Sequence, residues 1–191
     1  MLWICLRLWR GQGAPIFYAA ERMKDTEHAF RLLKFRTMSV VDSDQGVSGG
    51  HKSSRITPLG ARMRSKRLDE LPQLWNILKG DISFVGPRPP LREYVEKFPE
   101  LYGQVLRNRP GVTGLASVKF HRHEENLLAR AATQAETESI YTRICIPKKA
   151  QLDLIYQHHV SVCFDILILI ETVKTVFTVR SSTHRRKSEH Q

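Results

Sequence analysis

The chain is short of cysteine, of acidic residues and of long apolar runs. Cys5, Cys145 and Cys163 stand far apart, odd in number and without CxxC spacing. Neither a disulfide framework nor a zinc knuckle is suggested, and a reducing setting fits best. No stretch approaches the roughly twenty consecutive apolar residues of a membrane-spanning helix, and no complete signal peptide is expected. Thirty Lys and Arg face only 19 Asp and Glu, leaving a formal charge of +11. Such an excess attracts nucleic acid, anionic headgroups or phosphorylated small molecules. No RNA-recognition, helix-turn-helix or zinc-finger signature accompanies it, so nucleic acid is not expected as a partner. At 191 residues the chain can bury one real core, and neither repeat nor second domain is visible.

What is present reads as α+β, mostly helical, with one small β-hairpin. PIFYAAER (15–22) and FRLLKFRTM (30–38) flank a polar connection and predict the hairpin. The Ser/Gly/Asp-rich 39–54 predicts a surface loop. A helix is expected from Thr57, with Pro58 in its first turn and Leu59, Met63 and Leu68 inward. A clearer one follows: Leu71, Leu74, Trp75 and Leu78 form an apolar stripe expected to be buried. Pro72 falls in its first turn and Gly80 at its left-handed cap, which makes Asp69 or Glu70 its N-cap. GPRPP then fixes an extended backbone that holds Arg88 in place.

Further on, a helix is expected over Leu91 to Leu106, interrupted near Pro99. RPGVTGLASVKF (109–120) reads as a turn entering a strand, and a polar helix is expected over Glu124 to Ser139. One or two helices occupy 150–177, with ILILI read as core in preference to an interfacial face. MLWICLRLW fits either a short amphipathic start or the last turns of something more apolar, and 180–191 reads as a basic, disordered tail. Neither His121 and His123 with Glu124 and Glu125, nor His158 and His159, offers the third well-spaced ligand that zinc needs.

The adjacent acids in KRLDELPQLWNIL (66–78) are the chemical signal. At a helix start, free N–H groups would keep Asp69 ionised and welcome a phosphate beside it. That suits a nucleophile aimed at phosphorus, giving an aspartyl phosphate, with Glu70 orienting a metal or handling protons. Arg64, Lys66, Arg67, Arg88 and Arg109 could offset the repulsion between carboxylate and phosphate. The plainer alternative is an acidic cap worth about 1 kcal/mol of helix stability and no chemistry.

KFRTM (34–38), RITPLG (55–60), LDELPQLWNILKGDISFVGPRP (68–89) and RPGVTG (109–114) together resemble the bacterial sugar transferases, the monotopic phosphoglycosyl transferases. The similarity extends from GAPIFYAAER through LDLIYQHHVSVCFDILILIETVKTV, sparing the loop after Met38, the polar helix before Ser139 and the tail. It implies a membrane-associated enzyme moving a sugar phosphate from a nucleoside diphosphate sugar, usually UDP-linked, to a polyprenyl phosphate. The setting implied is the cytoplasmic face of the bacterial inner membrane, against an anionic surface, in exopolysaccharide or lipopolysaccharide synthesis. Asp69 is the implied nucleophile with Glu70 its partner, both toward Mg2+. Lys34, Arg64, Arg88 and Arg109 are the implied cationic substrate-binding residues.

The chain departs from that pattern in two places. The hydrophobic re-entrant helix that opens most members is not seen, so residues 1–14 are expected as a remnant of the membrane-proximal segment, 15–179 as the catalytic domain and 180–191 as the tail. After RPGVTG the family's tryptophan, glutamine and glycine-arginine turn give way to Leu115, Ser117 and KFHRH. The alternative expectation is an inactive remnant serving as a membrane-surface or partner-binding module.

Overall fold

The computed structural model describes residues 2–40 and 55–188, with side chains placed in 3–40 and 55–175. Beyond Val40, the loop expected at 39–54 lies outside the described residues. Helix α1 (Leu2–Gln12) buries Leu8 against Phe35 and Met63, with Ile4, Cys5 and Leu59 around them. Its other side leaves Trp3, Leu6 and Trp9 exposed, with the Arg7 guanidinium 4.9 Å from the Trp3 ring centre. Both faces of α1 are therefore apolar, and only one is used by the core.

Strands β1 (Phe17–Met23) and β2 (Ala29–Phe35) form the expected antiparallel hairpin, running from Phe17↔Phe35 to Met23↔Ala29. Side chains alternate across a sheet, so Tyr18, Ala20 and Arg22 share a face with Lys34, Leu32 and Phe30. Phe35 and Met23 point the other way into the two cores. The connection is tightened by the Asp25 carboxylate, which accepts from the backbone N–H of Glu27 and His28.

Helix α2 (Pro58–Arg64) starts where expected, with the Thr57 hydroxyl accepting from Gly60 N–H at 3.0 Å. Leu68–Glu70 is a single 3-10 turn, and α3 (Gln73–Leu78) begins only at Gln73, with Pro72 as its N-cap. Neither Asp69 nor Glu70 caps the helix, which corrects the sequence reading.

The orientation of α3 is a second correction. Leu74, Trp75 and Leu78 face outward, Leu78 with 78% of its surface exposed, whereas Gln73 and Asn76 are only 2% exposed. The reason is the edge of β2. A two-stranded sheet has unpaired backbone groups on both edges, and burying them unpaired is costly. Asn76 satisfies one edge: its Oδ1 accepts from Leu33 N–H at 3.0 Å and its Nδ2 donates to Arg31 O at 2.9 Å. The polar side of α3 thus docks on the hairpin. Gly80, at φ 77°, ends the helix as expected, with Asp81 N–H reaching Asn76 O and Gly80 N–H reaching Ile77 O.

Strand β3 (Ser83–Val85) leads through GPRPP into α4 (Arg92–Lys97) and α5 (Pro99–Val105), then returns as β4 (Gly111–Thr113), parallel to β3. The break at Pro99 is as expected, but the strand after RPG is only three residues long and LASVK turns helical as α6 (Leu115–Lys119). Gly86 and Gly111 lie backbone to backbone, and a Cβ on Gly86 would strike the Arg109 carbonyl. The GPRP and RPG segments are therefore locked together.

The expected polar helix is two, α7 (His121–Leu128) and α8 (Gln134–Ile140). A π-helical turn (Tyr141–Cys145) runs into α9 (Ile146–His158), and α10 spans Val162–Ser188, into the segment expected as a tail. The main core gathers Met23, Tyr94, Val95, Val105, Ile146 and Ala150 from β1, α4, α5 and α9. ILILI contributes only Ile168 as a buried residue, while Ile166, Leu167 and Ile170 are exposed, contrary to the core expectation. No described helix is long and apolar enough to cross a membrane.

Asp153 on α9 is buried, its Oδ1 has no partner among the described residues, and burial raises its pKa to about 7 against the offsetting pull of Lys149 and the Ala116 N–H. An acid with a raised folded-state pKa binds its proton more tightly folded than unfolded. Stability from this group therefore falls as pH rises from about 4 to 7. Thermal unfolding of Asp153→Asn should gain on the wild type across that interval by up to roughly 4 kcal/mol, measured as a Tm difference that widens with pH.

Candidate active site

The site is built by a reversal after α2. Arg67 adopts the left-handed region at φ 51° and ψ 23°, uncommon for a residue with a Cβ, and turns the chain into the 3-10 turn. Both following acids then point inward: Asp69 is 7% exposed and Glu70 9%. Two adjacent buried carboxylates demand compensation.

KFRTM supplies part of it, and each of its first four residues has its own task. Lys34 Nζ donates to Glu70 Oε1 at 2.9 Å. Phe35 fills the core under α1, and Arg36 donates to the Gln12 and Gly13 carbonyls at 2.6 and 2.8 Å, closing the end of α1. Thr37 Oγ1 accepts from Arg64 Nε at 2.8 Å, which steadies that guanidinium near Asp69. From the proline-fixed segment, Arg88 Nη2 donates to the same Glu70 Oε1 at 3.1 Å, and Arg67 Nη1 approaches Oε2 at 3.4 Å.

The two acids consequently have opposite environments. Burial pushes the Glu70 pKa up, but Arg88, Lys34 and Arg67 more than reverse it and hold the carboxyl well below the usual carboxylate range. Burial also pushes Asp69 up. There Lys34 and Arg64 offset it only in part while the Glu70 charge adds to it, so the Asp69 pKa is raised. No described side chain hydrogen-bonds the Asp69 carboxylate; its own backbone N–H is its donor. The helix-start reason for an ionised Asp69 is replaced by this pair asymmetry. Burial and Arg88 lower the Lys34 pKa against the pull of Glu70, and Glu70 raises that of Arg88.

The structure thus brings Lys34, Arg64 and Arg88 to the acid pair. Arg109 is exposed, and its side chain makes no ion pair or hydrogen bond among the described residues.

A family model described as bacterial sugar transferase matches residues 1–179. The chain belongs to the bacterial sugar transferase family. It is 32% identical over 170 residues to a UDP-N-acetylgalactosamine-undecaprenyl-phosphate N-acetylgalactosaminephosphotransferase of Aeromonas hydrophila, covering 86% of this chain and 36% of that protein. Against a UDP-glucose:undecaprenyl-phosphate glucose-1-phosphate transferase of Escherichia coli the identity is 32% over 174 residues, covering 89% and 34%. Against the uncharacterized sugar transferase EpsL of Bacillus subtilis it is 35% over 167 residues, covering 86% and 71%. The chain spans about a third of the length of the first two relatives and most of the third.

Mg2+ is the ion that the motif resemblance leads one to expect. It prefers one or two carboxylates together with substrate phosphate oxygens. Glu70 has both oxygens engaged by cations, whereas Asp69 accepts from no described side chain. Asp69 therefore fits as the protein's contribution. No described group of three or more His, Cys, Asp or Glu residues is arranged to hold a metal, and His121 only approaches Glu125 at 3.4 Å.

Two site residues carried weak sequence signals. Asn76 was an amide inside an apolar run, and Arg67 was one of several cations with nothing to single it out. Arg67 holds an unfavourable backbone while serving Glu70. Arg67→Gly should be more stable than Arg67→Ala by about 1 kcal/mol, read as a higher Tm, while both variants lose the guanidinium equally. Equal melting of the two would remove the strain from the account.

Proposed function

We propose that this protein transfers a sugar phosphate from a nucleoside diphosphate sugar, UDP-linked, to a polyprenyl phosphate through a covalent intermediate on Asp69. One observation carries the reading: adjacent buried carboxylates, one clamped by three cations and the other left without a side-chain donor. Separating the pKa values of neighbouring acids separates their roles. A carboxylate less stabilised by its surroundings is the better nucleophile. The relatives' activities on UDP-sugars and undecaprenyl phosphate support the substrate classes.

In the first half-reaction an Asp69 oxygen attacks the sugar-bearing phosphorus as the bond to the nucleoside monophosphate breaks, and that group leaves with the electron pair. In the second, a polyprenyl phosphate oxygen attacks the same phosphorus and the Asp69 carboxylate is released. Lys34, Arg64 and Arg88 meet the charge on the phosphoryl oxygens, the forked guanidiniums bidentately and lysine as a point charge. Glu70 holds Lys34, Arg67 and Arg88 in place. When bound, Mg2+ would add charge neutralisation beside Asp69. The test is nucleoside monophosphate release from a panel of UDP-sugars with Mg2+ and polyprenyl phosphate vesicles. Release with a lipid-linked sugar diphosphate supports the reading; no release from any donor favours an inactive surface-binding module.

The acceptor is a lipid, and the exposed apolar faces of α1, α3 and α10 on a chain of net charge +11 suit an anionic bilayer surface. Replacing Trp75 and Leu78 together by Ser should weaken partitioning onto anionic vesicles at least about tenfold without lowering Tm, since neither side chain is in the core. Co-sedimentation checks this, and unchanged partitioning would move the lipid contact away from α3.

A further inference from the structure

The reaction proposed above accounts for the cations around Asp69 and Glu70 but not for Gln73. This side chain is 2% exposed, its Nε2 is sealed from solvent, and its amide hydrogen-bonds to nothing among the described residues. A buried amide without a bond is costly and calls for an explanation. Its place follows from its neighbours along the chain. Leu71 and Pro72 are both right-handed helical, so the backbone winds on from the 3-10 turn into α3 without a break. Glu70 docks on β2 through Lys34, and Asn76 docks on it through the Leu33 N–H and the Arg31 carbonyl. Gln73 is three residues from each, and residues three or four apart share a helical face with about 5–6 Å between Cβ atoms. It therefore lies against the hairpin between the acid pair and Asn76. Helical side chains lean toward the N-terminal end, which carries Gln73 over the turn holding Glu70 and, four residues back, Asp69.

The two acids are unequal as partners for that amide. Glu70 Oε1 already accepts from Lys34 and Arg88, and Oε2 from Arg67. Asp69 accepts from no described side chain. A donor without an acceptor and an acceptor without a side-chain donor thus occupy neighbouring buried positions. A carboxylate has about four acceptor sites, so a bond from Gln73 leaves Asp69 free to engage phosphorus. Hydrogen bonds of this kind are often made along the reaction and not in the free protein.

We propose that Gln73 is a positioning residue for the nucleophile, its amide N–H donating to the Asp69 carboxylate as the phosphosugar is discharged. In that step a polyprenyl phosphate oxygen bonds to phosphorus, the bond from phosphorus to Asp69 breaks, and its electron pair returns to the carboxylate. The Gln73 N–H meets the returning charge and transfers no proton. The same bond would stabilise the ionised acid before attack, so the first half-reaction gains nothing from it. The inference rests on the function proposed above.

The experiment separates the two half-reactions in wild type and Gln73→Met, which keeps the side chain's length and removes the amide. Rapid-quench intact mass with Mg2+ and a panel of UDP-sugars follows formation of the adduct, and adding polyprenyl phosphate vesicles follows its discharge. Discharge should slow by about tenfold or more in Gln73→Met while formation is unchanged or faster, so that adduct accumulates during turnover. Gln73→Met should also melt no lower than wild type, because no hydrogen bond is given up. Equal discharge rates would overturn the role of Gln73 and leave the transferase reading intact. Formation and discharge slowed alike, with a lower Tm, would make Gln73 structural and likewise overturn it, and so would a variant that does not fold. A wild type that forms no adduct with any donor would overturn the covalent reading and this inference with it.

Discussion

Asp69→Asn is expected to lower sugar-phosphate transfer by a factor on the order of 10^4 or more while the protein melts no lower than wild type at neutral pH. The activity loss follows from removing the attacking oxygen. The stability result follows from the site's electrostatics: burial and the Glu70 charge make the ionised Asp69 unfavourable in the folded state, so its pKa is raised. An acid with a raised folded-state pKa takes stability away as pH rises above its unfolded value near 3.8. A neutral amide escapes that loss. The Asn variant should gain on the wild type as pH rises above that unfolded value and match it in acid, by calorimetry. A variant both inactive and strongly destabilised at pH 7 would mean that Asp69 is a structural ion.

Glu70→Ala should do the reverse to the fold. Glu70 is 9% exposed and takes hydrogen bonds from Lys34, Arg67 and Arg88. Removing it leaves three cations crowded without a counter-charge, and breaking a buried charge pair from one side costs about 3–5 kcal/mol. For a chain of this size that is a fall of roughly 10 °C in Tm. Because the Glu70 pKa is lowered, its contribution is complete above its unfolded value near 4.5 and is lost as pH falls below it. The gap between Glu70→Ala and wild type should therefore narrow in acid, opposite to the Asp69 variant. Two neighbouring acids with opposite effects on melting are what distinguishes this site from a simple acidic helix cap, which predicts a small loss at either position.

The parts of the fold legible in the sequence were those fixed by local chemistry. The hairpin, the Thr57 cap, the break at Pro99 and the Gly80 turn each follow from residues acting on their own backbone. The orientation of α3 was not legible, because apolar spacing says which residues share a face and not which solvent that face meets. Leu74, Trp75 and Leu78 do form a stripe; the β2 edge, needing the Asn76 amide, turned it outward. The same ambiguity reversed ILILI, where one residue of five is buried. The acid pair, Arg64 and Arg88 stood out from local charge and helix-start chemistry and Lys34 through motif resemblance, and the structure gathers them. The left-handed Arg67 was invisible, since nothing in KRLDEL marks a positive φ at a residue that is not glycine.

The central claim is that one of these acids carries the phosphosugar covalently. Its most direct test is intact-mass analysis of the protein incubated with Mg2+ and a UDP-sugar substrate in the absence of polyprenyl phosphate, followed by peptide mapping. The account predicts a mass increase equal to one sugar phosphate, located on Asp69, discharged on adding the lipid acceptor and missing in Asp69→Asn. An adduct mapping to another residue, or forming equally on Asp69→Asn, would contradict it.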